Sequence, residues 1–187
     1  MRIALDAMGG DHAPGPIVVG AIQAVAADPD VTVVLVGDKA RVEPLLPADA
    51  PRDRIEIFHS AHAIGMDESP VEALRAKPDN SIANCWRLMV GKKVDAIVSA
   101  GNTGAMVAGG LLSRRFLKGV RRPGIAAVMP TAKGLCAVID VGANVHPRAT
   151  HLYQYGVMGG IYAKHILGKP NATVALMNIG EEEGKGH

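Results

Sequence analysis

Aromatic side chains are scarce in this chain: they make up 3% of its 187 residues, although 48% are hydrophobic. A core with so few rings must be assembled from Ala, Val, Ile, Leu and Met, as is common in α/β proteins with buried aliphatic strands. Cysteine is nearly missing too. Cys85 and Cys136 lie in apolar surroundings without the paired spacing of a zinc site, so both are expected to be buried free thiols in a reducing cytoplasm. Charge of one sign is not in excess, with 20 Lys and Arg against 18 Asp and Glu, net +2. That balance excludes a general nucleic-acid or membrane-surface binder and leaves any anion preference to local clusters. No apolar run approaches the roughly 18 residues of a spanning helix, and the opening "MRIALDAMGGDHAPG" lacks a signal-peptide core.

Several catalytic signatures are also missing. There is no GxxxxGK[ST] phosphate loop and no GxGxxG dinucleotide fingerprint, so ATP and NAD lose support. Neither HExxH nor GxSxG occurs, and neither cysteine has an evident partner base, which disfavours zinc hydrolysis and acyl-enzyme chemistry. His59, His62, His146 and His151 form no persuasive metal set by spacing and are expected on the surface or in packing.

What is present alternates strand and helix. Strands are expected over Arg2–Ala7, Val31–Val36, Arg54–His59 and Val94–Ser99, with helices over Pro16–Ala27, Asp38–Leu46, Pro70–Arg75, Asn80–Gly91 and Ala105–Phe116. Gly109 and Gly110 weaken the last of these by about 1 kcal/mol each relative to Ala, for which close packing is the natural reason. Trp86, at helical spacing from Ala83 and Val90, is the expected core anchor. Gly124–Met129 and Leu135–Val141 are joined by "PTAKG" and predict an antiparallel hairpin beside an otherwise parallel sheet. A helix from Pro147 to Gly168 and a strand over Ala172–Asn178 complete the pattern. It predicts a single doubly wound α/β/α sandwich, with a mostly parallel sheet, that continues beyond His187.

Three strand exits carry polar, glycine-rich loops. In "VDAIVSAGNTGAMVAGG", Gly101 and Gly104 permit tight turns and Asn102 and Thr103 bring hydrogen-bonding groups. The following helix start, including Ala105, presents N–H groups suited to an anion. Asp6, Gly9, Gly10 and Asp11 form a second such exit, and Asp140 and Asn144 in "VIDVGANVHPRATH" a third, with Arg148 in the early turns of a helix. Each loop read alone is equally an ordinary capped turn. Together they predict one rim that holds a small oxyanion, because the carboxyl ends of parallel strands converge. Lys185, in "NIGEEEGKG", supplies a candidate cation for an anionic transition state, and Glu181–Glu183 either orient it or form a solvated turn.

In order along the chain, "ALDAMGGDHAPG", "SPVEALRAKPDNSI", "VDAIVSAGNTGA", "VIDVGANV" and "NIGEEEGKG" resemble the PlsX family of phosphate acyltransferases. His146 departs from the Asp associated with that place. The resemblance implies an isopropylmalate-dehydrogenase-like fold, a homodimer and transfer of an acyl group from acyl-acyl-carrier-protein to inorganic phosphate, feeding bacterial phospholipid synthesis. It implies no cofactor and no metal. It also implies a longer protein, whose second half adds to the site and to peripheral membrane contact, with the present residues as the N-terminal part of one domain. Phosphate would be held by Asn102, Thr103, Gly104 and Ala105, with Lys185 catalytic and Asp6, Gly9, Gly10, Asp11, Asp140 and Asn144 shaping the rim. Arg114, Arg115, Lys118, Arg121 and Arg122 are a candidate docking cluster for an acidic carrier. The competing readings are a phosphotransacetylase using acetyl-coenzyme A, a noncatalytic phosphate-binding or dimerisation fragment and, third, an NAD dehydrogenase.

Overall fold

The computed structural model describes residues 1–113, 117–144 and 146–177. Their contacts divide into two compact units, Met1–Arg115 and Phe116–His187.

In the first unit, β1 (Arg2–Asp6), β2 (Thr32–Gly37), β3 (Ile55–His59) and β4 (Ala96–Val98) form a parallel sheet in the order β3-β2-β1-β4. The central strands of the sheet are covered by helices on both faces, which explains why they read as aliphatic runs. Successive side chains of β2 go to opposite sides. Val33 and Leu35 join Val18, Ala21 and Val25 of α1 (Gly15–Ala27) in one cluster. Val34 and Val36 join Cys85, Leu88 and Met89 of α4 (Ser81–Val90) in another. The result is a doubly wound α/β/α arrangement.

Local chemistry sets the helix starts. Asp38 accepts from the Ala40 N–H at the head of α2 (Lys39–Val42), which tightens into a 3-10 turn over Glu43–Leu45 where Pro44 lacks an N–H. Pro70 opens α3 (Pro70–Ala76), and Asn80 caps α4 by accepting from Ala83 N–H. The helix α5 (Thr103–Ser113) starts two residues earlier than the sequence predicts, because Asn102 caps it.

Trp86 accounts for the paired glycines of α5. Its ring lies so close that an added Cβ would stand 2.6 Å from Trp86 Cδ1 at Gly109 and 3.0 Å from Cζ2 at Gly110. The indole N–H donates to the Met106 carbonyl at 3.1 Å, so the ring is satisfied as well as packed.

The second unit holds the antiparallel pair β5 (Ala126–Thr131) and β6 (Gly134–Ile139), with helix α6 (Ala149–His165) packed on β6. Gly134, at φ 110°, lets the chain turn back after Lys133. The expected strand pairing holds, but as a separate two-stranded sheet rather than an addition to the parallel one. Cys136 on β6 is exposed, not buried as expected, because it lies in the first half of the strand, where Gly134 and Leu135 are exposed too. The strand expected at Ala172–Asn178 does not form over residues 172–177. No neighbouring strand supplies a ladder among the described residues, and Val174, Leu176 and Met177 stay exposed. Asn178 lies outside the described residues.

Candidate functional site

The exits of β1 and β4 meet. Leu5 pairs with Val98, so Asp6 and Ser99 leave the sheet side by side. Asp6 is fully buried, and a buried carboxylate must find donors. One oxygen accepts the Met8 N–H at 3.1 Å and the other the Ser99 hydroxyl at 2.8 Å, while Ser99 Oγ accepts the Gly101 N–H at 3.0 Å. Asp6 therefore ties the two glycine loops together. Its negative charge also acts on Cys85: burial first, and then this carboxylate, push the thiol well above its ordinary range. Cys85 is thus an inert core thiol rather than a nucleophile.

Gly9 and Gly101 make the crossing possible. A Cβ on Gly9 would lie 2.7 Å from Asp6 Oδ2, and one on Gly101 would lie 3.0 Å from Gly9 Cα. Gly10 follows with φ 93°, a conformation side chains disfavour. Asp11 projects from this loop, exposed and without a hydrogen-bond partner among the described residues.

At the head of α5 the Asn102 side chain is fully used. Its Oδ1 accepts the Ala105 N–H at 3.0 Å, while Nδ2 donates to the carbonyls of Gly65 and Glu68 at 3.1 and 3.0 Å. The loop held in this way is braced from its other side. Glu68 accepts from Gly65 N–H and pairs with Lys77 at 2.5 Å, and the Lys77 hydrogen bond leads the causes that hold its carboxyl below the usual range. Gly104 sits against Pro70, whose Cγ would lie 2.6 Å from an added Cβ.

These bonds decide which amides remain. Ala105 N–H is spent on the cap, and Met106 N–H goes to the Asn102 carbonyl. The N–H groups of Thr103 and Gly104, on exposed residues, have no partner among the described residues. Two free donors at the positive end of an eleven-residue helix can hold an oxyanion.

The third loop follows β6, which runs antiparallel to β5, so the rule that gathers parallel strand ends does not apply to it. Asp140 organises it locally. Its carboxylate accepts from the N–H groups of Ile125 (2.9 Å), Gly142 (3.3 Å), Ala143 (2.9 Å) and Asn144 (2.7 Å), and from Asn144 Nδ2 (2.9 Å). Burial pushes its carboxyl up, but the N–H bonds from Ile125, Ala143 and Asn144 together outweigh that and hold it below the ordinary range. Asn144 also donates to the Pro123 carbonyl and receives a long bond from Arg122.

Beside that loop Arg121, Arg122, His146, Pro147, Arg148 and His151 line an open cleft of about 850 Å3. The sequence groups Arg121 and Arg122 with Arg114, Arg115 and Lys118. Arg148 enters the group only through the fold. Arg114 and Arg115 lie outside the described residues, as do Lys185 and Glu181–Glu183. Also missed were Ser99, legible only as a hydroxyl just before the glycine loop, and the loop at Gly65–Glu68, which nothing local marks. Among the described residues no group of three or more His, Cys, Asp or Glu is placed to hold a metal.

A family model described as "Fatty acid synthesis protein" matches residues 1–187. A "Phosphate acyltransferase" of Brevibacillus brevis is 47% identical over 188 residues. Proteins of the same name from Desulfitobacterium hafniense and Heliobacterium modesticaldum are 46% and 48% identical. In each case the match covers 100% of this chain and 56% of the relative, so the chain spans little more than half their length. The chain belongs to the fatty acid synthesis protein family.

Proposed function

We propose that the full-length protein of this family member transfers a fatty acyl group from acyl-acyl-carrier-protein to inorganic phosphate, forming acyl phosphate for phospholipid synthesis. The names of its relatives favour a phosphate acceptor. The observation that carries the reading on this chain is the pair of amides at Thr103 and Gly104, without partners among the described residues and held in place by the Asn102 cap.

Such a site needs no covalent intermediate. An oxygen of hydrogen phosphate attacks the thioester carbonyl, the new C–O bond forms as the C–S bond breaks, and the pantetheine sulfur takes up the phosphate proton and leaves as the thiol. Fixed amides at a helix start position the dianion and require little reorganisation during attack. We assign Lys185 to offset the charge that develops on the carbonyl oxygen. Asp6 acts at one remove, by fixing Ser99 and Gly101, and Gly9 and Gly10 let the first loop close over them. Asp11 belongs to the proposed rim on the first unit, and we assign Asp140 and Asn144 to shaping their own loop in the second.

The proposal includes a homodimer, a cytoplasmic location and peripheral contact with the inner face of the membrane. No helix among the described residues is long and apolar enough to cross a membrane. The test is acyl-phosphate production by the full-length protein from purified acyl-carrier-protein thioester and phosphate. Lys185→Ala should suppress turnover while leaving the thermal midpoint in place. Normal turnover by the folded variant rejects the role of Lys185, and preference for acetyl-coenzyme A as donor favours a phosphotransacetylase instead.

A further inference from the structure

The second unit concentrates positive charge that no salt bridge engages among the described residues. Arg121 and Arg122 come from the segment before β5, and Arg148 is the N-cap of α6, yet all three line one open cleft with His146 and His151. Among the described residues none of the three guanidinium groups forms a salt bridge. The one side-chain partner found for them is neutral: Arg122 donates to Asn144 Oδ1 at 3.4 Å. The neighbouring carboxylate, Asp140, already accepts five bonds from Ile125, Gly142, Ala143 and Asn144.

The frame around these groups is fixed. Gln154 on α6 accepts the Arg121 N–H at 3.0 Å and donates to the Gly119 carbonyl at 2.7 Å, clamping the segment that carries the arginines. The Arg148 N–H donates to His151 Nδ1 at 3.2 Å, so the neutral ring carries its proton on Nε2 and is a donor there. His151 N–H and Leu152 N–H both return to the Arg148 carbonyl, which leaves the Ala149 and Thr150 N–H groups at the mouth of α6 without partners among the described residues. Guanidinium groups that line one cleft repel one another, and a bound anion relieves that repulsion. Their planar forks match phosphoryl oxygens in pairs, and the helix start adds donors of the same polarity.

We propose that the cleft formed by Arg121, Arg122, Arg148, His146 and His151 binds a phosphoryl oxyanion. It is a second anion site, additional to the acceptor site assigned to the head of α5. Two sources share the chemistry: free phosphate, and the phosphate of a pantetheine arm. The second source rests on the acyl-transfer reading; the first does not.

The test is calorimetric titration of the full-length protein at one low ionic strength with inorganic phosphate and, separately, with 4′-phosphopantetheine. At least one of the two ligands binds the unmodified protein, and Arg121→Gln/Arg148→Gln weakens it about tenfold or more, the loss of charge-assisted bonds. Lys133→Gln/Lys164→Gln removes the same charge elsewhere in the unit and leaves affinity within about twofold, as expected for distant screened charges. Arg122→Gln, which leaves the α6 cap alone, gives a several-fold loss of its own. Loss for phosphate alone assigns the free ion, and loss for phosphopantetheine alone assigns the arm. Equal affinity in all variants, equal weakening by both double variants, or no binding of either ligand overturns the proposal. Thr103→Pro, at the acceptor site, leaves this component of binding intact, so failure of one assignment is distinguishable from failure of the other.

Discussion

A Cβ on Gly9 would stand 2.7 Å from the amide nitrogen of Gly101, so the loops leaving β1 and β4 touch backbone to backbone above the buried Asp6 carboxylate. Backbone cannot swing aside as a long side chain can. Gly9→Ala should therefore destabilise the protein by about 1–3 kcal/mol, the usual cost of overpacking. Gly20→Ala, on α1 with nothing within 4 Å of the new methyl, should stabilise it by roughly 0.5–1 kcal/mol. Urea denaturation of the full-length protein reads both. A neutral Gly9→Ala would mean that the loops stand further apart.

Asn102 is a cap with donors. Asp is as good an N-cap as Asn, so on capping alone Asn102→Asp would be harmless and Asn102→Ala would cost about 1 kcal/mol. Here Nδ2 faces the Gly65 and Glu68 carbonyls, and a carboxylate would meet them oxygen to oxygen. Asn102→Asp should be at least as destabilising as Asn102→Ala in thermal unfolding. A wild-type midpoint for the Asp variant would remove the loop tether.

Gly109 offers a reversal of propensity. Ala replaces Gly in a free helix with a gain of about 1 kcal/mol. Against the Trp86 ring at 2.6 Å, Gly109→Ala should instead lower stability, and Gly109→Ala/Trp86→Leu should recover part of the loss. Denaturation midpoints of the two variants decide the matter, and a stabilised single variant contradicts the packing.

Asp140 predicts an acid limit for its loop. Its folded carboxyl lies below the ordinary value of 3.8, so its contribution is fully present above that value and is lost as pH falls through the folded one. The amide resonances of Ala143 and Asn144 should titrate together with a midpoint below 3.8. A midpoint above it would show that burial outweighs the N–H bonds.

Much of this was legible in the sequence because it is local. Aliphatic strands, Pro70 at a helix start and the need for close packing at Gly109 and Gly110 follow from short-range pattern and propensity, whereas Trp86 as the partner of those glycines comes only from the fold. What was not legible depends on distant partners. Asn102 reads as a loop residue, and only the fold shows its amide reaching Gly65 and Glu68. Apolar residues at 172–177 read as a strand, but a strand exists only where a neighbour completes its ladder. Arg148 reads equally as a solvated helix residue or a local positive charge, and only the fold sets it in one cleft with Arg121 and Arg122.

Phosphate capture at the head of α5 is tested most directly by removing one amide hydrogen without removing the helix. Thr103 is the first residue of α5, where proline fits with its fixed φ and absent N–H. In the full-length protein, Thr103→Pro should raise the KM for phosphate about tenfold, the worth of one charge-assisted bond, and leave the KM for the acyl donor and the thermal midpoint unchanged. Thr103→Ala, which keeps the N–H, should behave as wild type. An unaltered phosphate KM in folded Thr103→Pro would contradict the assignment of that helix start as the acceptor site.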